Sequence, residues 1–205
     1  MAGLHQAPGL FLSVVRPKEE SMAGRIGIRF GEAMTAGSQD WLWTEPEIAI
    51  GELNGPVGQA MANLMGQSAG FSRFFCLVDG GKQVKPVTLM VPKVHLKKMI
   101  DVQIFGGPVQ AGIADGVLDA VESGLIPKAR AEEIGIICLV WIDPRLSEMP
   151  DAEFNELYRN NRTAMKEAIG KALKGKPSVK ELLKEDRRHP RHMYYNAERK
   201  RWEFS

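Results

Sequence analysis

Cysteine is scarce in this chain, and any surplus of charge, long apolar run or internal repeat is missing. There are 2 cysteines in 205 residues, Cys76 and Cys138, and both fall inside apolar, strand-like runs. Two such thiols read as buried structural groups, because a disulfide framework or a thiolate metal site needs more ligands. The expected compartment is a reducing, cytoplasmic one. Lys and Arg number 27 against 25 Asp and Glu, a net charge of +2, so no global field draws the chain to nucleic acid. No apolar run approaches the ~18 residues a membrane span requires. Gly9 to Val15 is apolar but short, and it lacks the basic lead-in and small-residue cleavage pattern of a signal peptide. No group of residues has metal-ligand spacing, and no Ser-His-Asp or Cys-His set is suggested.

A hydrophobic share of 44% and a charged share of 25% belong to an ordinary globular protein, one sizeable domain plus tails. Residues 1–22 read as an N-terminal extension, 23–174 as the domain and 175–205 as a basic tail with one short helix. In the domain, Ile26, Ile28 and Phe30 alternate onto one face, which predicts a half-buried strand. Residues 41–51 form a second strand whose Pro46 cannot donate to a ladder, predicting an edge or bulged strand. Val57, Ala60, Met61 and Leu64 recur at helical spacing behind Pro56. Residues 71–78 read as a strand with a turn at Asp79-Gly80-Gly81, and Val87, Leu89 and Val91 alternate in the next. From Pro108 a helix carries Val109, Ile113, Val117 and Val121 on one stripe, stopped at Gly124. Residues 135–142 are nearly all apolar, as in a central strand covered on both sides. A long amphipathic helix over 151–173 turns Phe154, Leu157, Tyr158, Met165, Ala168, Ile169 and Ala172 inward, and Ser178 with Glu181 makes a capping box. Strands and helices mixed in this way predict an α+β fold, a two-layer sandwich of helices on a mixed sheet.

Four groups of residues carry chemical interest. Glu45 and Glu47 sit two apart on a strand, on one face, with Trp41 and Trp43 close by in sequence. Like charges at that spacing make one a candidate general acid, and the same letters also fit a solvated pair. Lys93 and His95 share a face in the same way, able to hold an anion and move a proton or simply to end a strand in water. Phe105-Gly106-Gly107-Pro108-Val109-Gln110 feeds a helix but lacks the residues of a P-loop or dinucleotide fingerprint. Arg187, Arg188, His189, Arg191 and His192, with Tyr194, Tyr195 and Trp202, form a basic, aromatic tail that interspersed acidic residues dilute. A tail packing on a neighbouring subunit or staying mobile fits it better than a nucleic-acid site.

From about Arg25 to Leu173 the sequence resembles the formaldehyde-activating enzyme family. The resemblance is carried by Gly31-Glu32-Ala33, Glu47 to Gly51, Gly70-Phe71-Ser72, Lys85-Pro86 with Thr88-Leu89-Met90, Lys93-Val94, Gln103 to Gly106 with Pro108-Val109-Gln110, Gly124 to Pro127, and Tyr158 with Thr163. It implies an α/β sandwich like the second domain of ribosomal protein S5, assembled as a homopentamer. It also implies a cytoplasmic lyase of one-carbon metabolism that condenses formaldehyde with tetrahydromethanopterin to a methylene adduct and water, without a metal. Hydroxide must leave the carbinolamine formed first, so a placed acid should help most. In the family that acid is a histidine two residues before an aspartate. In this chain Glu45 stands at the histidine and Glu47 at the aspartate. Lys93 and Gln110 match the family's ligand-contacting lysine and glutamine, while Phe75 and His95 replace a leucine and a threonine. Glu45 and His95 are thus the expected proton donors, and Glu47, Phe75, Lys93, His95 and Gln110 the expected ligand contacts. The alternative is a non-catalytic paralogue that binds a pterin or other small metabolite as carrier, sensor or regulatory subunit.

Overall fold

A computed structural model describes residues 24, 26–67, 72–149, 153–184, 193–196, 198–199 and 201–204. The N-terminal extension and the run from Arg187 to His192 lie outside these residues. So do the side chains of Tyr194, Tyr195 and Trp202. Among the described residues no helix is long and apolar enough to cross a membrane.

The framework is a five-stranded mixed sheet in the order β1-β2-β7-β6-β3: β1 is Ile28–Glu32, β2 Thr44–Glu52, β3 Phe74–Phe75, β6 Val87–Pro92 and β7 Ile134–Ile142. Only β6 and β7 run parallel, and the chain between them supplies helices α2 (Met99–Ile104) and α3 (Gln110–Glu122), as a parallel crossover demands. A small hairpin of β4 (Leu77–Asp79) and β5 (Lys82–Gln83) turns at Asp79-Gly80-Gly81 as expected. Helix α4 (Phe154–Lys174) lies beside α3 on one face of the sheet. The result is an α+β, two-layer sandwich. Helix α1 (Pro56–Gly66) covers part of the other face through Val57 and Met61 against Leu89 and Ile137.

The main core lies between the sheet and the α3–α4 layer. Of the predicted stripe, Val109, Ile113 and Val117 are fully buried there and Val121 partly so, with Leu157, Met165, Ala168 and Ile169 of α4. Phe105 is also fully buried, edge-on to Phe74 at 5.7 Å between ring centroids, a pairing worth about 1 kcal/mol beyond its burial. Close approach depends on missing side chains. A Cβ at Gly112 would stand 2.4 Å from the Tyr158 carbonyl oxygen, and one at Gly31 would stand 2.3 Å from that of Ala168, so α4 can press on both α3 and β1. The polar groups inside are satisfied. Asn161 is wholly buried, accepts from the Thr44 hydroxyl at 2.8 Å and donates to the Leu157 carbonyl at 2.8 Å.

Several expectations are corrected. Strand β2 is not an edge, since it lies between β1 and β7, and Pro46 is tolerated for a local reason. Its carbonyl accepts from Ala33 N–H at 3.2 Å, so the missing donor faces the edge strand; β1 ends at Glu32 and only an isolated bridge from Thr35 to Thr44 follows. Ile28 and Phe30 stay 42% and 69% exposed, because Gly31 rather than Phe30 meets α4. Strand β7 is central but covered on both sides only as far as α1 reaches, and Leu139 remains 38% exposed. Phe154 of α4 is exposed rather than inward. The expected strand 71–78 is split at Cys76, whose N–H still bonds the Thr88 carbonyl of β6 at 2.8 Å while its carbonyl accepts from Val84 N–H at 3.0 Å, where the chain passes from the main sheet to the β4–β5 hairpin. The chain does not start a helix afresh at Pro108. Helix α2 runs into α3 through a π-helical segment, Phe105–Val109, kinked at Gly107. Beyond α4, Gly175 closes the helix in a left-handed conformation and Ser178 caps α5 (Val179–Leu182). Strands β8 (Met193–Asn196) and β9 (Arg201–Phe204) then pair as a hairpin in what the sequence suggested was a tail.

Candidate active site

Strand alternation decides which residues reach the uncovered part of the sheet. On β2, Thr44, Pro46, Ile48 and Ile50 are buried, while Glu45, Glu47 and Ala49 between them are half-buried on the opposite side. On β7, Leu139 and Trp141 stand directly across from Glu47 and Glu45. On β1, Glu32 stands across from Glu47. The sixth strand ends at Pro92, and Lys93 N–H adds one more bond, to the Val140 carbonyl at 2.8 Å. Lys93 therefore leaves the sheet beside the two glutamates.

Its ammonium lies between them, with Nζ 2.7 Å from Glu45 Oε2 and 2.7 Å from Glu47 Oε1. About a quarter of the Lys93 and Glu45 side chains is exposed, and somewhat more of Glu47. Partial burial opposes the charged form of Lys93. The bonds and charges of the two carboxylates outweigh it and raise its pKa above the usual lysine value. Glu32 completes the group: one carboxylate oxygen from each of Glu32, Glu45 and Glu47 lies within 4.8 Å of the others. Three carboxylates thus gather at one place, and the ammonium bonds two of them. An apolar hollow of about 560 Å³ opens beside them, lined by Phe30, Glu32, Glu47, Ala49, Leu139 and, from beyond α4, Pro177 and Leu182 among others.

The other expected site residues lie elsewhere. His95 does not share a strand face with Lys93, because the strand has already ended. It is exposed and lines a separate hollow of about 420 Å³ with Lys97, Lys98, Asp143 and Leu146. Gln110 begins α3, where its amide donates to the Gly106 carbonyl at 2.8 Å and accepts from Leu77 N–H at 3.2 Å. It borders a third hollow, of about 590 Å³, together with Asp115 and Tyr158. Phe75 packs against the small core under α1. Trp41 packs on the main core, and Trp141 of β7 stands directly across from Glu45. Sequence reasoning left out Glu32, Leu139 and Trp141. Counting alternate residues back from the Glu45–Glu47 pair and along β1 and β7 finds them once the strand pairing is known.

Residues 30–194 match the family described as Formaldehyde-activating enzyme (Fae). Over 154 residues the chain is 44% identical to the bifunctional enzyme Fae/Hps of Methanothrix thermoacetophila, covering 71% of this chain and 38% of that protein. Proteins of the same name from Methanococcoides burtonii and Methanosarcina acetivorans are 41% and 38% identical over 140 residues, 68% of this chain and 34% of each relative. The chain thus spans little more than a third of the length of these curated relatives.

Proposed function

The chain belongs to the formaldehyde-activating enzyme family, and from that premise we propose that it condenses formaldehyde with tetrahydromethanopterin. The products are the methylene adduct and water, which makes the reaction that of a carbon–oxygen lyase in one-carbon metabolism. The observation that carries this reading is the Lys93 ammonium held between Glu45 and Glu47 beside an apolar hollow. An amine adds to the aldehyde without much help; expelling hydroxide is the difficult step. In this reading Glu45 passes a proton from Lys93 to the departing oxygen, which leaves as water. The second amine, the arylamine next to the pterin ring, then attacks the same carbon, closes a new ring and releases a proton that restores Lys93. The transfer is downhill in the required sense, since hydroxide is the conjugate base of water with a pKa of about 15.7, well above even a raised lysine. Glu47 holds Lys93 from its other side.

The reading assigns His95 a ligand contact at most, because it lines a different hollow. The cytoplasm and a homopentamer go with it. Apolar side chains left exposed away from the cluster, such as Met99 and Val102 on α2, are surface for such an assembly. A second reading, a pterin-binding protein without turnover, is favoured by one observation. Where the family has a histidine, this chain has a carboxylate already engaged by Lys93. The test mixes the purified chain with tetrahydromethanopterin and formaldehyde and follows condensation against the spontaneous rate. Acceleration that survives His95→Ala supports the enzyme. Pterin binding with no acceleration supports the second reading, and neither binding nor acceleration defeats both.

A further inference from the structure

Glu32 is the one carboxylate of the cluster that the structure leaves without a counter-charge. Lys93 bonds Glu45 and Glu47, and no hydrogen bond or ion pair reaches Glu32 among the described residues. Cross-strand pairing with Glu47 makes its position unfavourable, since like charges directly opposite destabilise a sheet. Glu32 thus stands at the mouth of the hollow with no ion pair of its own among the described residues, since Lys171 and Lys176 of the same lining bond Glu167 and Glu181. Its direction and its exposure argue against a role in holding the fold. Gly31 turns its open side to α4, so Glu32 projects the other way, and its carboxylate is exposed rather than packed. Local cost without structural return is the mark of a binding residue.

The hollow indicates what would meet it. Its walls are Phe30 on β1, Ala49 on β2, Leu139 on β7, and Pro177 and Leu182 from the segment after α4, with Lys171 and Lys176 also in the lining, bonded to Glu167 and Glu181. Such walls suit the faces of a flat ring system. The hollow's acidic edge, Glu32 with Glu47, suits a ring whose rim presents adjacent N–H donors. A pterin offers that combination in its 2-aminopyrimidinone edge, where the ring N3–H and the exocyclic amine point the same way. Resting on the function proposed above, we propose that Glu32 is a positioning residue whose two carboxylate oxygens accept those two N–H groups. The ring then lies in the hollow with its reacting amines toward Lys93 and Glu45.

The experiment measures the affinity of 6-methyltetrahydropterin and its 2-desamino analogue for wild type, Glu32→Gln and Glu32→Asp, with melting temperatures alongside. Two hydrogen bonds to a charged acceptor predict that Glu32→Gln binds the pterin about tenfold to a hundredfold more weakly. Glu32→Asp should fall between. The analogue should bind wild type weakly and lose little more in Glu32→Gln. The melting temperature of Glu32→Gln should equal or exceed that of wild type, because a repulsion is removed. Equal pterin affinity in Glu32→Gln overturns the proposal, as does equal loss for both ring compounds or a lowered melting temperature. Tight binding of Mg²⁺ alone that vanishes in Glu32→Gln would overturn it in favour of a cation site. Wild type that speeds condensation while Glu32→Gln does so equally defeats this assignment alone. Wild type that binds no pterin and speeds nothing defeats the function on which it rests.

Discussion

The two faces of the sheet are made by the same strands and obey opposite rules. Toward α3 and α4, side chains are apolar or small, and the buried amide of Asn161 and hydroxyl of Thr44 satisfy each other. Toward the uncovered side, neighbours one residue along carry three carboxylates and an ammonium beside exposed Phe30 and Leu139. Thr44 belongs to one face and Glu45 to the other. Stability and chemistry are therefore separable at single-residue resolution, and substitutions on each face should move different observables.

The largest effect is expected from Lys93→Met. It removes the one cation that bonds both Glu45 and Glu47 among the described residues and, in the proposed scheme, the proton's source, so condensation should slow by about a thousandfold in a single-turnover assay. A melting temperature close to that of wild type would keep the two faces distinct. Gly112→Ala tests the covered face. Its Cβ would meet the Tyr158 carbonyl at 2.4 Å, which should cost about 1–3 kcal/mol in denaturant unfolding and leave the condensation rate unchanged below the transition. A large rate loss there would mean the faces are coupled.

A smaller effect concerns pH. Glu52, at the end of β2, is buried, which favours its neutral form. Hydrogen bonds from Ile26 N–H at 2.5 Å and Gly27 N–H at 3.0 Å, and the Arg130 guanidinium at 3.2 Å, outweigh this and lower its pKa. A folded pKa below the unfolded value of about 4.3 means the stabilisation is complete above that value and fades as pH falls through the folded one. Wild type should therefore lose more stability than Glu52→Gln on going from pH 6 to pH 3, read from unfolding midpoints. Parallel curves would contradict this account of how the start of β1 is anchored.

Much of the covered face was legible in the sequence. Period and capping decided it: Val109, Ile113 and Val117, and Leu157, Met165, Ala168 and Ile169 of α4, are buried where a 3.6-residue repeat puts them, and Gly175 and Ser178 cap helices as their residue types suggest, while Phe154 is the member of the α4 stripe left outside. Only the existence of the Glu45–Glu47 pair on one strand face was readable on the other side, together with Lys93 as a matching position. Period-2 alternation says which residues share a face, but it cannot say which face a helix will cover. For that reason Ile28 and Phe30 were expected inside and are found outside. His95 was expected to share a strand face with Lys93 because alternation was carried past Pro92, where the strand stops. Glu32 was visible as a letter in Gly31-Glu32-Ala33, but its place opposite Glu47 depends on strand pairing between distant segments.

The claim at the centre is that the proton for water loss passes through Glu45. The most direct measurement is the condensation rate at saturating pterin and formaldehyde for wild type and Glu45→Gln, each corrected for the spontaneous reaction. Glu45→Gln keeps the size and hydrogen-bonding reach of the side chain but cannot carry a proton, and the account predicts a loss of about a hundredfold or more with pterin affinity nearly kept. A Glu45→Gln enzyme as fast as wild type would contradict it.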